Sequence, residues 1–278
     1  MKPTLPVACA VLAGTILHAA CKKVGDLKTI DVAGDAQGDP SHPAHVRLTM
    51  HTGELHWTPG GAHVVGGAVR TNVADLEPKI EAVADRVTIT QGGSPDAKWG
   101  ADVVSDFRLT LGPTPLDLSA DLGAANGDFE LGGLAIKSAS LRSGTGTVKI
   151  GFSSPNPLAA DTLDIESGAG AVTLSDVARF GASKVRVHTG AGAIAITLGP
   201  VVDRDVTLDL EATAGAVRVV VPASTTARAE VKPGPGGITS KGWAKAGEAL
   251  VLGGAGPSPR VTIRARAGTG AITLETTP

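Results

Sequence analysis

Ser143–Ile150 reads SGTGTVKI, Ser167–Leu174 reads SGAGAVTL and Thr189–Ile196 reads TGAGAIAI, while TAGAVRV from Thr213 and AGTGAITL from Ala267 repeat the theme. A glycine-centred motif that returns at a period of about 22 residues is the signature of a stacked architecture, in which each repeat is one supersecondary unit. Aligned on their glycines, the repeats share apolar columns on both sides of the bend. Upstream these are Leu141, Ile165, Val187, Leu210, Val231 and Ala265, with Ala139, Leu163, Val185, Leu208, Ala229 and Ile263 two residues earlier. Downstream they are Val148, Val172, Ile194, Val217, Ile238 and Ile272, then Ile150, Leu174, Ile196, Val219, Ser240 and Leu274.

Each repeat therefore reads as strand, glycine bend, strand and a variable connector. Alternation with a period of two puts all four columns on one face. A single repeat cannot bury that face, but stacking lays each apolar residue on its equivalent in the next rung. The glycines supply a bend that has either positive φ or no room for a Cβ. They are not followed by a helix start or a Lys-Ser/Thr pair, so a phosphate-cradling loop does not fit. The fold class expected is all-β: a stacked parallel β-solenoid, right-handed and β-helix-like.

The outward columns carry charge. One contains Ser140, Asp164, Arg186, Asp209, Glu230 and Arg264; the other contains Arg142, Glu166, His188, Glu211, Lys232 and Arg266. In-register stacking sets Asp164 against Arg186 and Arg186 against Asp209, and opposite charges side by side favour that register. The repeat around Gly234 departs from the pattern, with Pro233, Pro235 and Ser240 in it and Trp243 just after, and it reads as irregular. The final repeat, with Arg264 and Arg266 facing out, reads as the protected edge of the stack.

The chain has 278 residues, 37 of them glycine, with no tyrosine and a net charge of −2. Nothing in that balance favours nucleic acid as a partner. Residues 1–20 read as an export signal: Lys2, an apolar run from Leu5 to Leu17 too short to span a bilayer, then His18-Ala19-Ala20 before Cys21. Small residues before a cysteine resemble a bacterial lipobox and make Cys21 the lipid attachment point, although His18 stands where leucine is usual. Simple cleavage after Ala19 or Ala20 is the competing reading. With Cys9 inside the signal, Cys21 is the one cysteine left, so the mature chain has no intrachain disulfide. Residues 21–45 are polar and read as a flexible tether. Residues 46–106 read as a less regular β part and 107–278 as the repeat solenoid, with residues 91–100 a polar loop.

Two stretches carry a resemblance to a known family. Leu48–Thr90, LTMHTGELHWTPGGAHVVGGAVRTNVADLEPKIEAVADRVTIT, has a Gly-Glu-Leu turn, a Pro-Gly break and a Leu-Glu-Pro; Leu111–Ile150, LGPTPLDLSADLGAANGDFELGGLAIKSASLRSGTGTVKI, opens on Pro-Leu-Asp-Leu and leads into the Gly-x-Gly rungs. On these the chain resembles the bacterial toast-rack family, adhesin-like β-solenoids related to the C-terminal domains of cell-envelope stress regulators. The resemblance implies a parallel stack with one strand per edge, outside the cell or in the periplasm, and it brings no catalytic residues with it.

Five of the seven histidines, His42, His45, His51, His56 and His63, cluster early in the chain. His51 and His56 flank the Thr52-Gly53 bend, and with Glu54 they are the weak candidates for a zinc or copper site; no cysteine and no His-Glu-x-x-His accompanies them, so no metal and no cofactor is expected. The Gly-x-Gly repeats lack the aspartate of calcium rolls. No Gly-x-Ser-x-Gly or Ser/His/Asp pattern emerges, and no enzyme is expected. The function expected is a non-catalytic, lipid-anchored scaffold or adhesin-like binding module of the cell envelope, with an unknown protein or polysaccharide partner. A carbohydrate-binding or carbohydrate-active surface protein, with Trp57, Trp99 and Trp243 as its available platforms, is the alternative, and a partner in envelope-stress sensing is a further one.

Overall fold

A computed structural model of the chain describes residues 24–94, 102–253 and 260–277. Residues 1–20, expected to be an export signal, together with Cys21, Trp99 and most of the 91–100 loop, lie outside the described residues. The N-terminal strands are β1 (Lys28–Gly34), β2 (Ala44–Pro59), β3 (Val65–Thr71), β4 (Pro78–Val83), β5 (Arg86–Gln91), β6 (Ser105–Leu111) and β7 (Leu116–Glu130). The central rungs are β8 (Ile136–Thr145) with β9 (Val148–Gly151), β10 (Thr162–Ala169) with β11 (Val172–Ser175), β12 (Lys184–Ala191) with β13 (Ile194–Thr197), and β14 (Val206–Ala214) with β15 (Val217–Pro222). The last strands are β16 (Ala227–Lys232), β17 (Ile238–Ser240), β18 (Ala244–Ala246), β19 (Ala249–Leu252), β20 (Val261–Ala267) and β21 (Ile272–Thr277).

Two parallel ladders meet at the glycine bend. One runs β5–β2–β7–β8–β10–β12–β14–β20–β16. The other runs β6–β2–β7–β9–β11–β13–β15–β21–β17. β2 and β7 cross the bend unbroken and serve both ladders. The apolar columns face inward as the alternation requires: Leu163, Val172, Leu174, Val185, Leu208 and Val217 are all fully buried. Connectors close the remaining side with Phe152, Val177, Phe180 and Leu198, and the rings of Phe152 and Phe180 stack obliquely at 5.0 Å.

The bend glycines answer to space as well as to conformation. Gly170 has φ +136°, a backbone that L side chains rarely adopt. Gly192 needs no positive φ, yet a Cβ on it would lie 2.6 Å from the carbonyl carbon of Gly170 and closer still to its oxygen. The rungs touch here through backbone alone.

Rung order departs from chain order at both ends. β2 lies one level inside the stack, beneath β5 and β6, and the final rung β20/β21 lies between β14/β15 and β16/β17. The expectation that Arg264 and Arg266 guard a terminal edge is therefore corrected: they sit inside the ladder. Two physical reasons favour the insertion. The final rung has a complete apolar set, with Ile263, Ala265, Ile272 and Leu274 all buried, whereas the Gly234 rung ends in an exposed Ser240 and can cover a neighbour on one side only. Stacking in chain order would also face Asp209 with Glu230; insertion puts Arg264 between them, its Nη1 3.5 Å from Asp209 Oδ1.

Most stack edges are covered by antiparallel strands. β4 pairs with β5, β3 with β6 and β1 with β3 at one end; β19 pairs with β16 and β18 with β19 at the other. This disposes of edges that would otherwise pair with other chains. It also corrects the tether over residues 21–45. Lys28–Gly34 is a strand in register with Val65–Thr71, and Val32 and Ala44 are buried. A strand added to an existing edge needs only one inward side chain well covered, so its composition looks like a linker's.

Candidate functional site

The outer face of the first ladder is a charge lattice. Arg186 Nη1 reaches Asp164 Oδ1 at 2.8 Å, Arg142 Nε reaches Glu166 Oε2 at 3.1 Å, and Arg47 Nη2 reaches Asp121 Oδ2 at 2.9 Å. Asp209 faces Arg186 in register, and its carboxylate is also bridged by Lys184 at 3.1 Å. The in-register ladder read from the sequence is what the strands adopt. Each exposed pair contributes about 0–1 kcal/mol, so the lattice sets register more than it adds stability.

On the second ladder, the half of β2 after the bend lies beside β7, with β9 beyond. Leu55 and Gly127 face the core here, and the outward residues on either side of them, Glu54, His56, Asn126 and Asp128, line a shallow groove together with Thr147 and Lys149. His56 sits 3.7 Å from Glu54 and 3.9 Å from Asp128. Asn126 Oδ1 accepts from the Thr147 amide at 2.9 Å, tying the groove floor to the next rung. The groove offers alternating donors and acceptors to a polar ligand.

The structure brings His56 and Glu54 together and leaves His51 on the other arm of the bend. There the His51 amide donates to Gln91 Oε1 at 2.6 Å. Among the described residues, no group of three or more His, Cys, Asp or Glu side chains is placed to hold a metal. The other three histidines of the early cluster are spread over separate carboxylates rather than convergent: His45 with Asp117 at 3.6 Å, His63 with Asp35 at 2.8 Å and His42 with Asp39 at 3.7 Å. Asp35 is held below its ordinary value by the His63 hydrogen bond first and the Val64 amide second. Trp57 is not a sugar platform. It is fully buried against Phe129, ring centroids 5.9 Å apart, because the inward column of β2 places it there. Trp243 is half-buried against the end of the core.

Two structural roles escaped the sequence reading. Gln91, placed at the start of a loop, is a buried strand residue. Its amide accepts from the His51 and Thr52 amides and donates to Thr52 O at 2.8 Å and Ser105 Oγ at 2.6 Å. The outermost rung is broken between β5 and β6, and the Gln91 side chain supplies the peptide-like partner that β2 would otherwise lack at its bend. On the connector side, Glu130 Oε1 accepts from the Gly132 amide at 2.7 Å and from Ser153 N and Oγ at 3.0 and 2.9 Å. Burial works against its charged form, but the Ser153 and Gly132 amides, the Ser153 hydroxyl and the nearby Arg179 together hold its pKa below the ordinary value.

The family profile described as the N-terminal domain of toast_rack matches residues 23–175. The chain belongs to the toast-rack family. The matched toast-rack segment runs from just before β1 to the end of β11, and the rungs beyond it extend the same two ladders. A comparison with curated protein sequences finds no match. Among solved structures, the toast-rack chain is similar to a candidate cell adhesion protein from Clostridium sporogenes ATCC 15579, at 15% identity and a TM-score of 0.45, covering 91% of this chain and 99% of that one. It is also similar to a candidate adhesin from Bacteroides fragilis NCTC 9343, at 11% identity and a TM-score of 0.42, covering 90% and 97%. Among the described residues, no helix is long and apolar enough to cross a membrane.

Proposed function

We propose that this toast-rack protein is a non-catalytic binding module of the cell envelope, adhesin-like in action and anchored through a lipid on Cys21. The observation that carries the reading is the pair of parallel ladders running unbroken from end to end of the stack, with most edges capped. Such a body is stiff and presents long, flat, polar faces, which suits it to holding a partner over an extended surface. The groove at His56 and the charged lattice are the parts of those faces with the richest hydrogen-bonding character. The full burial of Trp57 removes one of the three aromatic platforms that a polysaccharide site would draw on.

Two measurements test this. Labelled protein incubated with isolated envelopes should bind saturably, and protease treatment of the envelopes should abolish binding; no saturable binding to intact envelopes refutes the module. The mass of the N-terminal peptide, beside a Cys21→Ser control, should show diacylglycerol on Cys21; an unmodified peptide refutes the anchor.

A further inference from the structure

The β17 edge stands apart from the other ends of the stack. Gly237 O accepts from Ile272 N and Lys241 N donates to Leu274 O, both across to β21. In an alternating parallel ladder that leaves Ile238 and Ser240 with their N–H and C=O groups turned to the open side. β16, the other half of the same rung, is covered by β19, and Trp243 and Leu250 pack against the end of the core. The strand after the bend has no such cover among the described residues.

The interior column that ends here runs the length of the molecule: Ile30, Val69, Phe107, Leu55, Gly127, Val148, then one residue from each rung to Ile272 and Ile238. Ile238 is 44% exposed because nothing is stacked on it, while Ile272 beneath it is fully buried.

Charge marks the same end. From Ala227 to Thr277 the sequence carries seven Lys or Arg and three Asp or Glu; from Val24 to Gln91 it carries five and nine. The ladder's alternation of sign breaks here, with Arg266 directly opposite Lys232. Like charges facing each other cost stability. Lys232 before β17 in sequence, and Lys241 and Lys245 after it, are all exposed and make no ion pair among the described residues.

We propose that the β17 edge is a docking site at which an extended, acidic segment of a partner protein adds as the next parallel strand. The proposal rests on the binding-module reading above and names its partner. Backbone bonds to Ile238 and Ser240 hold the segment, an apolar side chain covers Ile238, and acidic side chains meet the lysines. The same lysines repel a second copy of this edge, which keeps the strand from pairing with itself.

The test uses the full chain and a labelled ten-residue probe peptide, free of proline and alternating Glu with Val or Ile, followed by fluorescence anisotropy. The acidic peptide should bind at least tenfold more tightly than its Lys-for-Glu counterpart and than a version N-methylated at alternate residues. Ile238→Pro, which removes one open-side N–H and no bond to β21, should weaken binding at least tenfold. Lys232→Glu with Lys241→Glu should reverse the preference between the acidic and basic peptides, and neither position contributes to the core. Bound peptide should slow amide exchange at Ile238 and Ser240. Equal binding of acidic and basic peptides, or protection that falls elsewhere, overturns the proposal. If the protein still binds envelopes saturably while ignoring the acidic peptide, the edge proposal alone falls; if it binds neither, the reading beneath it falls too.

Discussion

Replacing Gly192 by alanine isolates the close approach of rungs from any demand for unusual backbone. Its φ lies outside the left-handed region, so alanine is conformationally acceptable there. The cost comes from contact. The new Cβ would stand 2.6 Å from the Gly170 carbonyl carbon, where real Cβ atoms stay beyond 3.0 Å. Relief requires the two rungs to part locally by roughly an ångström, against a strand spacing of about 4.8 Å. The bonds Gly170 N to Ala191 O at 2.8 Å and Val172 N to Ala193 O at 2.9 Å flank the site and would stretch beyond useful length. Two backbone bonds at about 1 kcal/mol each, with the packing lost beside them, give about 3–4 kcal/mol. For a domain of this size that is about 10 °C in Tm. The control is Gly247→Ala, where φ is +63° and nothing lies within 4 Å of the added Cβ; its cost is about 1 kcal/mol from the left-handed backbone alone. Urea unfolding of both variants, with midpoint and slope measured, decides the matter. If Gly192→Ala costs no more than the control, the bend glycines are not there to let backbone pack on backbone.

Arg264→Glu should cost about 1–2 kcal/mol in low salt and much less in 1 M NaCl, because it leaves three acids in a row, at 209, 264 and 230; a loss that salt does not relieve would contradict the observed rung order. Glu130 has a folded pKa depressed below its ordinary 4.5, so the stability it contributes is present above that value and disappears as pH falls through the folded value. Glu130→Gln should therefore destabilise the protein at pH 7 and flatten the acid limb of its stability curve; an unchanged acid limb would refute the assignment.

Much of the fold was readable from local pattern. The alternation around each Gly-x-Gly placed Leu163, Ile165, Val172 and Leu174 inward, and all four are buried. The charges of Asp164 and Arg186 announced a register that their 2.8 Å contact realises. Family membership was legible because the bends and breaks of residues 48–150 are unusual in combination. The candidate site was less legible. His51 and His56 look adjacent in sequence, but the bend between them sends them to different ladders, and only His56 meets Glu54. Trp57 was read as an available platform and is core, since the alternation along β2 puts it on the same inward face as Leu55.

The sequence by itself determined the unit: strand, glycine bend, strand, with one face apolar and the other charged, because these follow from side-chain period and from the absence of a Cβ. It also determined that units must stack. Only the tertiary structure decided their order. A repeat carries nearly the same edges as its neighbours, so local pattern leaves any unit free to lie on any other. The choice falls to whole-stack energetics: a complete rung such as β20/β21 gains from being covered on both sides, an incomplete one such as β16/β17 does not, and Arg264 is accommodated between two acids. The same physics drew Lys28–Gly34 out of an apparent linker and set the Gln91 amide against a broken rung, since an unpaired backbone in a sheet is satisfied by whatever the chain can bring to it.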